Sequence, residues 1–227
     1  MKFRRIHLFI GIGIIIFAII LRAVWVLSAT GFFSIPLVSN YAFKYPAPIR
    51  MVDPSTISLS TYLSEQLSHA LIGRLQKGRG LLQDRSFSLS LPEELLTMGL
   101  REKIRSDHWQ DMIDTSKAQM AIRKENEAEL FLPVFYRGHE SPIRLWLNFS
   151  TTQDGKLLVE LTDFWIGSWH TPSWVSKMAQ KEYVDPAVFD LNEKLGQFMK
   201  LSKIDSQEKL LLISGELVLQ IESFFRK

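Results

Sequence analysis

The sequence predicts an α+β protein: an N-terminal transmembrane helix followed by an antiparallel β-meander covered by amphipathic helices. Three observations carry this. An uncharged apolar run, Leu8 to Leu21, follows a basic tip. Between about residues 117 and 165, apolar and polar residues alternate in four successive runs, the period of strands with one buried face. On either side of those runs the apolar residues recur every three or four positions, the period of helices. Helices segregated from an antiparallel sheet define the class.

The anchor comes first. Lys2, Arg4 and Arg5 precede the apolar run, and Arg22 follows it. Leu8 through Leu27 spans ~30 Å at ~1.5 Å per residue, the thickness of a bilayer's hydrocarbon core. Arg22 then lies near the far interface, where its long stem lets the guanidinium reach headgroups, and Trp25 falls in the interfacial aromatic belt. The basic tip predicts a cytoplasmic N-terminus with the rest of the chain outside, a single-pass protein of the cell membrane. A cleaved signal peptide would fit the tip but not the residues after the apolar run, since no A-x-A pattern appears and Val24-Trp25-Val26 is bulky. The expected division is therefore a cytoplasmic tip and anchor over 1–28, a juxtamembrane linker over 29–56 and an extracytoplasmic domain over 57–227. The linker holds four prolines and no helical period. Its aromatic residues Phe32, Phe33, Tyr41, Phe43 and Tyr45 either rest on the outer leaflet or pack with the segment onto the domain.

Within the domain, Leu59, Leu63, Leu67, Leu71 and Leu75 recur at four-residue intervals, with Tyr62 and Ala70 beside them, and predict a helix over 57–79. A second helix is expected in SLPEELLTMGLREKI, with Ser90 and Glu93 in a capping box and Pro92 in the first turn. Ile57-Ser-Leu-Ser and Phe87-Ser-Leu-Ser precede the two helices and hint at a repeated strand-to-helix unit. The four strand runs carry Ala118, Met120 and Ile122, then Ala128 to Val134, then Ile143 to Phe149, then Leu157 to Trp165. Asn126, Arg137-Gly138 and Gln153-Asp154-Gly155 mark the turns between them. Thr171-Pro172 and Asp185-Pro186 open two more helices, the second striped by Val188, Leu191, Leu195 and Phe198. Leu210 to Ile213 reads as a strand stopped by Ser214-Gly215, and LVLQIESFFRK is open between strand and helix.

Composition excludes more chemistry than it suggests. There is no cysteine, so disulfides, thiolate catalysis and cysteine–metal sites are absent. The net charge of +3 comes from the tip, and the rest of the chain is near neutral, which leaves no concentrated cationic patch for nucleic acid. His69, His108, His139 and His170 lack the spacing of zinc ligands, and no nucleophile elbow or phosphate loop is present, so neither metal nor cofactor nor catalytic set is expected. Glu125, Glu127 and Glu129 alternate near a turn and read as a solvated edge. Asp163 lies on the register of Leu157, Val159 and Leu161, the apolar face. Either a bulge shifts it outward, or it bonds the loop backbone, or it acts as an acid.

The stretch VELTDFWIGSWHTPSWV is the richest in the chain, with Trp165, Trp169 and Trp174. Together with its surroundings, DGKLLVELTDFWIGSWHTPSWV, it resembles the YpmS-like family of bacterial single-pass membrane proteins, which look related to tubular lipid-binding (TULIP) domains. The shared outline is a strand ending at Gly167, a loop with Pro172, a helix from Ser173, then a Leu/Phe-rich helix and a strand ending in Gly215-Glu216-Leu217. The resemblance implies no enzymatic activity and, by likeness of fold, a lipid-like ligand. An apolar groove would take Leu130, Leu132, Leu145, Leu147, Val159, Leu161 and Trp165 as its lining, with Trp169 and Trp174 at its mouth. Trp165 and Trp174 read rather as core closing one end of the sheet, and Trp169 as an exposed rim. The expectation is a membrane-anchored, lipid-binding envelope domain, or else an envelope interaction module without a small-molecule ligand.

Overall fold

A computed structural model describes residues 2–76, 86–196 and 199–217, with the side chains of residues 2–13, Leu67 and 70–76 left undescribed. The side-chain expectations for Lys2, Arg4, Arg5, Leu67, Ala70, Leu71 and Leu75 fall outside what is described, and those for Phe198 and the C-terminal residues 218–227 fall outside the described residues. The chain is α+β with antiparallel sheets. Helix α1 runs Lys2–Ala29, α2 Ser39–Ala42, α3 Leu59–Gln76 and α4 Glu93–Ser106. Strand β1 is Ser86–Pro92. Strands β2 (Gln119–Ile122), β3 (Glu127–Tyr136), β4 (His139–Thr151), β5 (Leu157–Ile166) and β6 (Trp169–His170) form a five-stranded meander in chain order. Helices α5 (Ser173–Ala179) and α6 (Asp185–Gly196) are joined through a π-turn over Gln180–Val184. Strands β7 (Met199–Gln207) and β8 (Leu210–Leu217) complete a second sheet in the order β1-β8-β7. Counting only described side chains, which begin at Ile14 in α1, no helix is long and apolar enough to cross a membrane.

Alternation sets the meander's inner face. Cross-strand partners Leu130 and Leu145, Ala128 and Leu147, and Phe149 and Val159 share one side. That face meets Leu91, Leu95, Leu201, Ile204 and Leu211 in a single core. Two of the turns are tight: Glu125-Asn126 and Arg137-Gly138 both hold positive φ at two successive positions, the two-residue hairpin geometry, with Asn126 and Gly138 suited to it.

The β2 edge, and the part of β5 that β6 leaves unpaired, are covered by helix side chains rather than by strands. On β2, Glu93 accepts from the Ile122 N–H, Thr97 both donates to and accepts from Met120, and Arg101 donates to the Ala118 carbonyl. These three residues are spaced four apart on α4, ~6 Å of helix, against two residues or ~6.6 Å of strand, so one helix face tracks the strand edge. On β5, the Asn192 amide bonds both the N–H and the carbonyl of Leu157, and the Gln180 amide bonds the Val159 carbonyl and the Leu161 N–H. The edges that invite aggregation are thereby occupied.

Several sequence expectations need correction. Ser90 caps no helix: it sits in β1 opposite Leu212, and α4 begins after Pro92. Glu93 turns inward to Arg50 and the β2 edge instead of back to a cap. The repeated strand-to-helix unit exists only in its second copy, for Ser58 caps α3 through the Thr61 N–H with no strand before it. Gly215 does not stop β8, which continues to Leu217. Strand β7 is not announced by its residues, because an irregularity between Leu201 and Lys203 puts the buried Leu201 and Ile204 three apart, a helical spacing.

Residues 44–53 lie along the outer face of the meander. The Ile49 N–H donates to Glu129, the Gln119 amide bridges Arg50 and Val52, and Arg50 pairs with Glu93. Glu129 is not on a solvated edge: it is 0% exposed and receives Arg144 Nε at 2.7 Å, while Arg144 stacks on Trp146.

Candidate functional site

The tryptophan-rich stretch is shaped first by a β-bulge. Trp146 pairs with Asp163 but Leu147 pairs with Leu161, leaving Thr162 as the extra residue on β5. Alternation is thereby reversed beyond it. Phe164, opposite Leu145, is buried, while Asp163 and Trp165 move to the outer face beside Trp146 and Arg144. Trp165 therefore does not continue the apolar face of Val159 and Leu161.

On the outer face these groups form a small polar–aromatic cluster. The Trp165 indole N–H donates to Asp163 at 2.8 Å, and His170 Nε2 lies 2.6 Å from the same carboxylate. The Trp165 and His170 rings stack at 4.6 Å, held by β6 pairing back onto β5. Burial raises the Asp163 carboxyl, but hydrogen bonds from Trp165, His170 and the Phe164 N–H outweigh it and hold the group below the ordinary carboxylate range. Among the described residues, no serine or threonine hydroxyl bonds this Asp–His pair, and no third His or carboxylate completes a metal site.

The turn between β5 and β6 is a socket for the end of α1. The Ser168 N–H donates to the Ala29 carbonyl at 2.9 Å, and the Ser168 hydroxyl bonds both the N–H and the carbonyl of Lys44. Ser141, wholly buried on β4, donates its hydroxyl to the Thr30 carbonyl. Gly167 stands at φ +58°, and a Cβ there would come within 2.5 Å of the Thr30 oxygen and 2.8 Å of the Ala29 oxygen. Only glycine lets the two backbones approach this closely without strain. Ser28, Ala29 and Thr30 are buried as a result. Next along, Tyr45 donates to Glu140 at 2.5 Å, and burial together with that bond raises its phenol well above its usual range.

No protein-family model matches the chain, and no curated protein or solved structure matches it either.

The remaining sequence-derived candidates are dispersed. Leu147 and Val159 are buried in the core, while Leu130, Leu132, Leu145 and Leu161 are half-buried on the same inner face. Trp169 is half-buried in β6. Trp174 is 65% exposed on α5 and is not core. With Met178, Tyr183, Phe189 and Leu191, it gives the outward side of the α5–α6 segment an apolar character. A cavity of about 220 Å³ opens between the β4–β5 turn, α6 and β7, lined by Gly155, Asn192, Leu195, Met199 and Leu201. None of the candidate groove residues lines it. The socket itself has almost no signature in the sequence. Its one signal is Gly167-Ser168, small residues amid tryptophans, which resembles any turn.

Proposed function

We propose that this chain is a single-pass membrane protein whose α1 spans the bilayer with its N-terminus in the cytoplasm, and whose α+β domain works at the outer surface as an interaction module of the cell envelope. The observation that carries this reading is the contrast along α1. Ile14, Ile15, Ile16, Phe17, Ile19, Ile20 and Leu21 are each more than half exposed, whereas Ser28 and Ala29 are buried in the domain. A helix apolar on all sides is stable in hydrocarbon and not in water. Arg22 and Trp25, exposed between the two segments, suit the interface. The resemblance to YpmS-like proteins supports the same placement.

The domain side supports interaction. The α5–α6 segment contains no fully buried residue and turns Trp174, Met178 and Phe189 outward. A patch of this kind on a tethered domain suits a protein partner. The lipid-ligand reading stands second, favoured by the half-buried state of Leu130, Leu132, Leu145 and Leu161, which leaves part of the inner face uncovered.

Native mass spectrometry of the full chain released from membranes separates the two readings. A lipid-free species, with a partner retained by the wild type and lost by Trp174→Ser/Met178→Ser, supports the interaction module. A retained lipid mass that resists delipidation supports the second reading and removes the first.

A further inference from the structure

A second apolar surface surrounds the base of α1. Phe32 and Phe33 each meet Tyr136 edge-on, at 5.9 and 6.2 Å between ring centroids, and Arg137 lies over the same ring at 5.3 Å. Tyr136 and Arg137 form the tip of the β3–β4 hairpin, at the end of the sheet that holds the α1 socket. The 109–112 turn joins them, since the Phe135 N–H donates to the Met112 carbonyl. Phe33, Phe135, Tyr136, Trp109 and Met112 are all exposed, and Leu37 is 80% exposed. Arg137 occupies a left-handed position, φ 52°, where asparagine or glycine would be less strained.

The seat of α1 decides what covers this surface. Leu27 closes the twenty-residue span, and Ala29, two residues or ~3 Å further on, is already inside the domain. The headgroup layer on each side of the hydrocarbon is ~5–8 Å deep. No flexible linker intervenes, because Thr30 is held by Ser141 and Lys44 by Ser168. The domain cannot stand away from the membrane, so residues flanking the socket lie among headgroups. Aromatic rings with polar tips and an arginine are the side chains that suit that layer.

We propose that the β3–β4 hairpin tip, the 109–112 turn and the residues following α1 form a foot that sits in the headgroup layer and fixes the domain's orientation on the bilayer. The inference rests on the reading of α1 as a membrane span. The occupant is the lipid surface itself.

The chain's lack of cysteine makes the test direct. Nitroxide labels are placed singly by Phe17→Cys, Tyr136→Cys, Met112→Cys and Gln153→Cys in the full chain, reconstituted in vesicles of phosphatidylcholine and phosphatidylglycerol. Depth is read from collision with oxygen and with a water-soluble nickel chelate. Gln153 lies at the far end of β4, whose 13 residues span roughly 40 Å. The expected result is Phe17→Cys in hydrocarbon, loss of nickel collisions at both Tyr136→Cys and Met112→Cys, and full aqueous exposure at Gln153→Cys. If Phe17→Cys is in hydrocarbon while positions 136 and 112 are as aqueous as 153, the foot is refuted and the anchor stands. If Phe17→Cys is aqueous, the anchor itself fails. If protection at 136 and 112 disappears as protein is diluted in lipid, a second copy covers the surface, and the proposal is overturned.

Discussion

Gly167→Ala tests whether α1 is rigidly seated. The new Cβ meets two backbone oxygens, at 2.5 and 2.8 Å, neither of which can rotate away, and it also carries an L side chain at φ +58°. The conformational part costs about 1–2 kcal/mol. The steric part adds about 1–3 kcal/mol. Gly138→Ala is the matched control, because Gly138 also has positive φ but nothing lies within 4 Å of where its Cβ would stand. Thermal unfolding of the full chain in detergent should therefore fall by about 10 °C for Gly167→Ala and about 4 °C for Gly138→Ala, at ~2–4 °C per kcal/mol for a chain of this size. Trypsin should also cut after Lys44 sooner in Gly167→Ala, as that residue loses its bonds to Ser168. Equal shifts for the two variants would mean that the socket contact contributes nothing and the seat is not rigid.

Other expectations concern the supports of the site. Glu129→Ala leaves Arg144 and the Ile49 N–H without their carboxylate and should cost about 3–5 kcal/mol in denaturant unfolding, with Glu129→Gln milder because it keeps the acceptor for Ile49. Because the folded Asp163 carboxyl sits below its ordinary range, its contribution is present above the unfolded value of about 3.9 and is lost as pH falls through the lower folded value. The Trp165 indole N–H resonance should report that transition, and Asp163→Asn should abolish it. Gln180→Ala with Asn192→Ala bares the β5 edge. Hydrogen exchange at the Leu157 and Leu161 amides should accelerate about tenfold for each ~1.4 kcal/mol of lost bonding.

The meander is legible in the sequence because one face of each strand is apolar and the period is short. Turn residues such as Asn126 and Arg137-Gly138 mark the hairpins for the same local reason. What is not legible depends on pairing between distant residues. Asp163 on the apolar register does hint at the bulge that moves it outward, but nothing in the sequence shows that Thr162 is the residue left over, because a bulge is a property of two strands. Glu93, Thr97 and Arg101 look like the solvated side of an amphipathic helix, yet they meet the β2 edge. Residues 44–53 carry no period because they bond side chains of the sheet, not a neighbouring strand. Gly167 reads as an ordinary turn residue until α1 is placed against it.

The orientation of the domain across the membrane is the claim on which the rest turns. Single cysteines introduced by Lys2→Cys and by Gln153→Cys can be labelled in intact cells with a membrane-impermeant maleimide. An external domain on a cytoplasmic N-terminus predicts labelling of Gln153→Cys in intact cells and of Lys2→Cys only after permeabilisation. Labelling of Lys2→Cys in intact cells, or of Gln153→Cys only after permeabilisation, would contradict it.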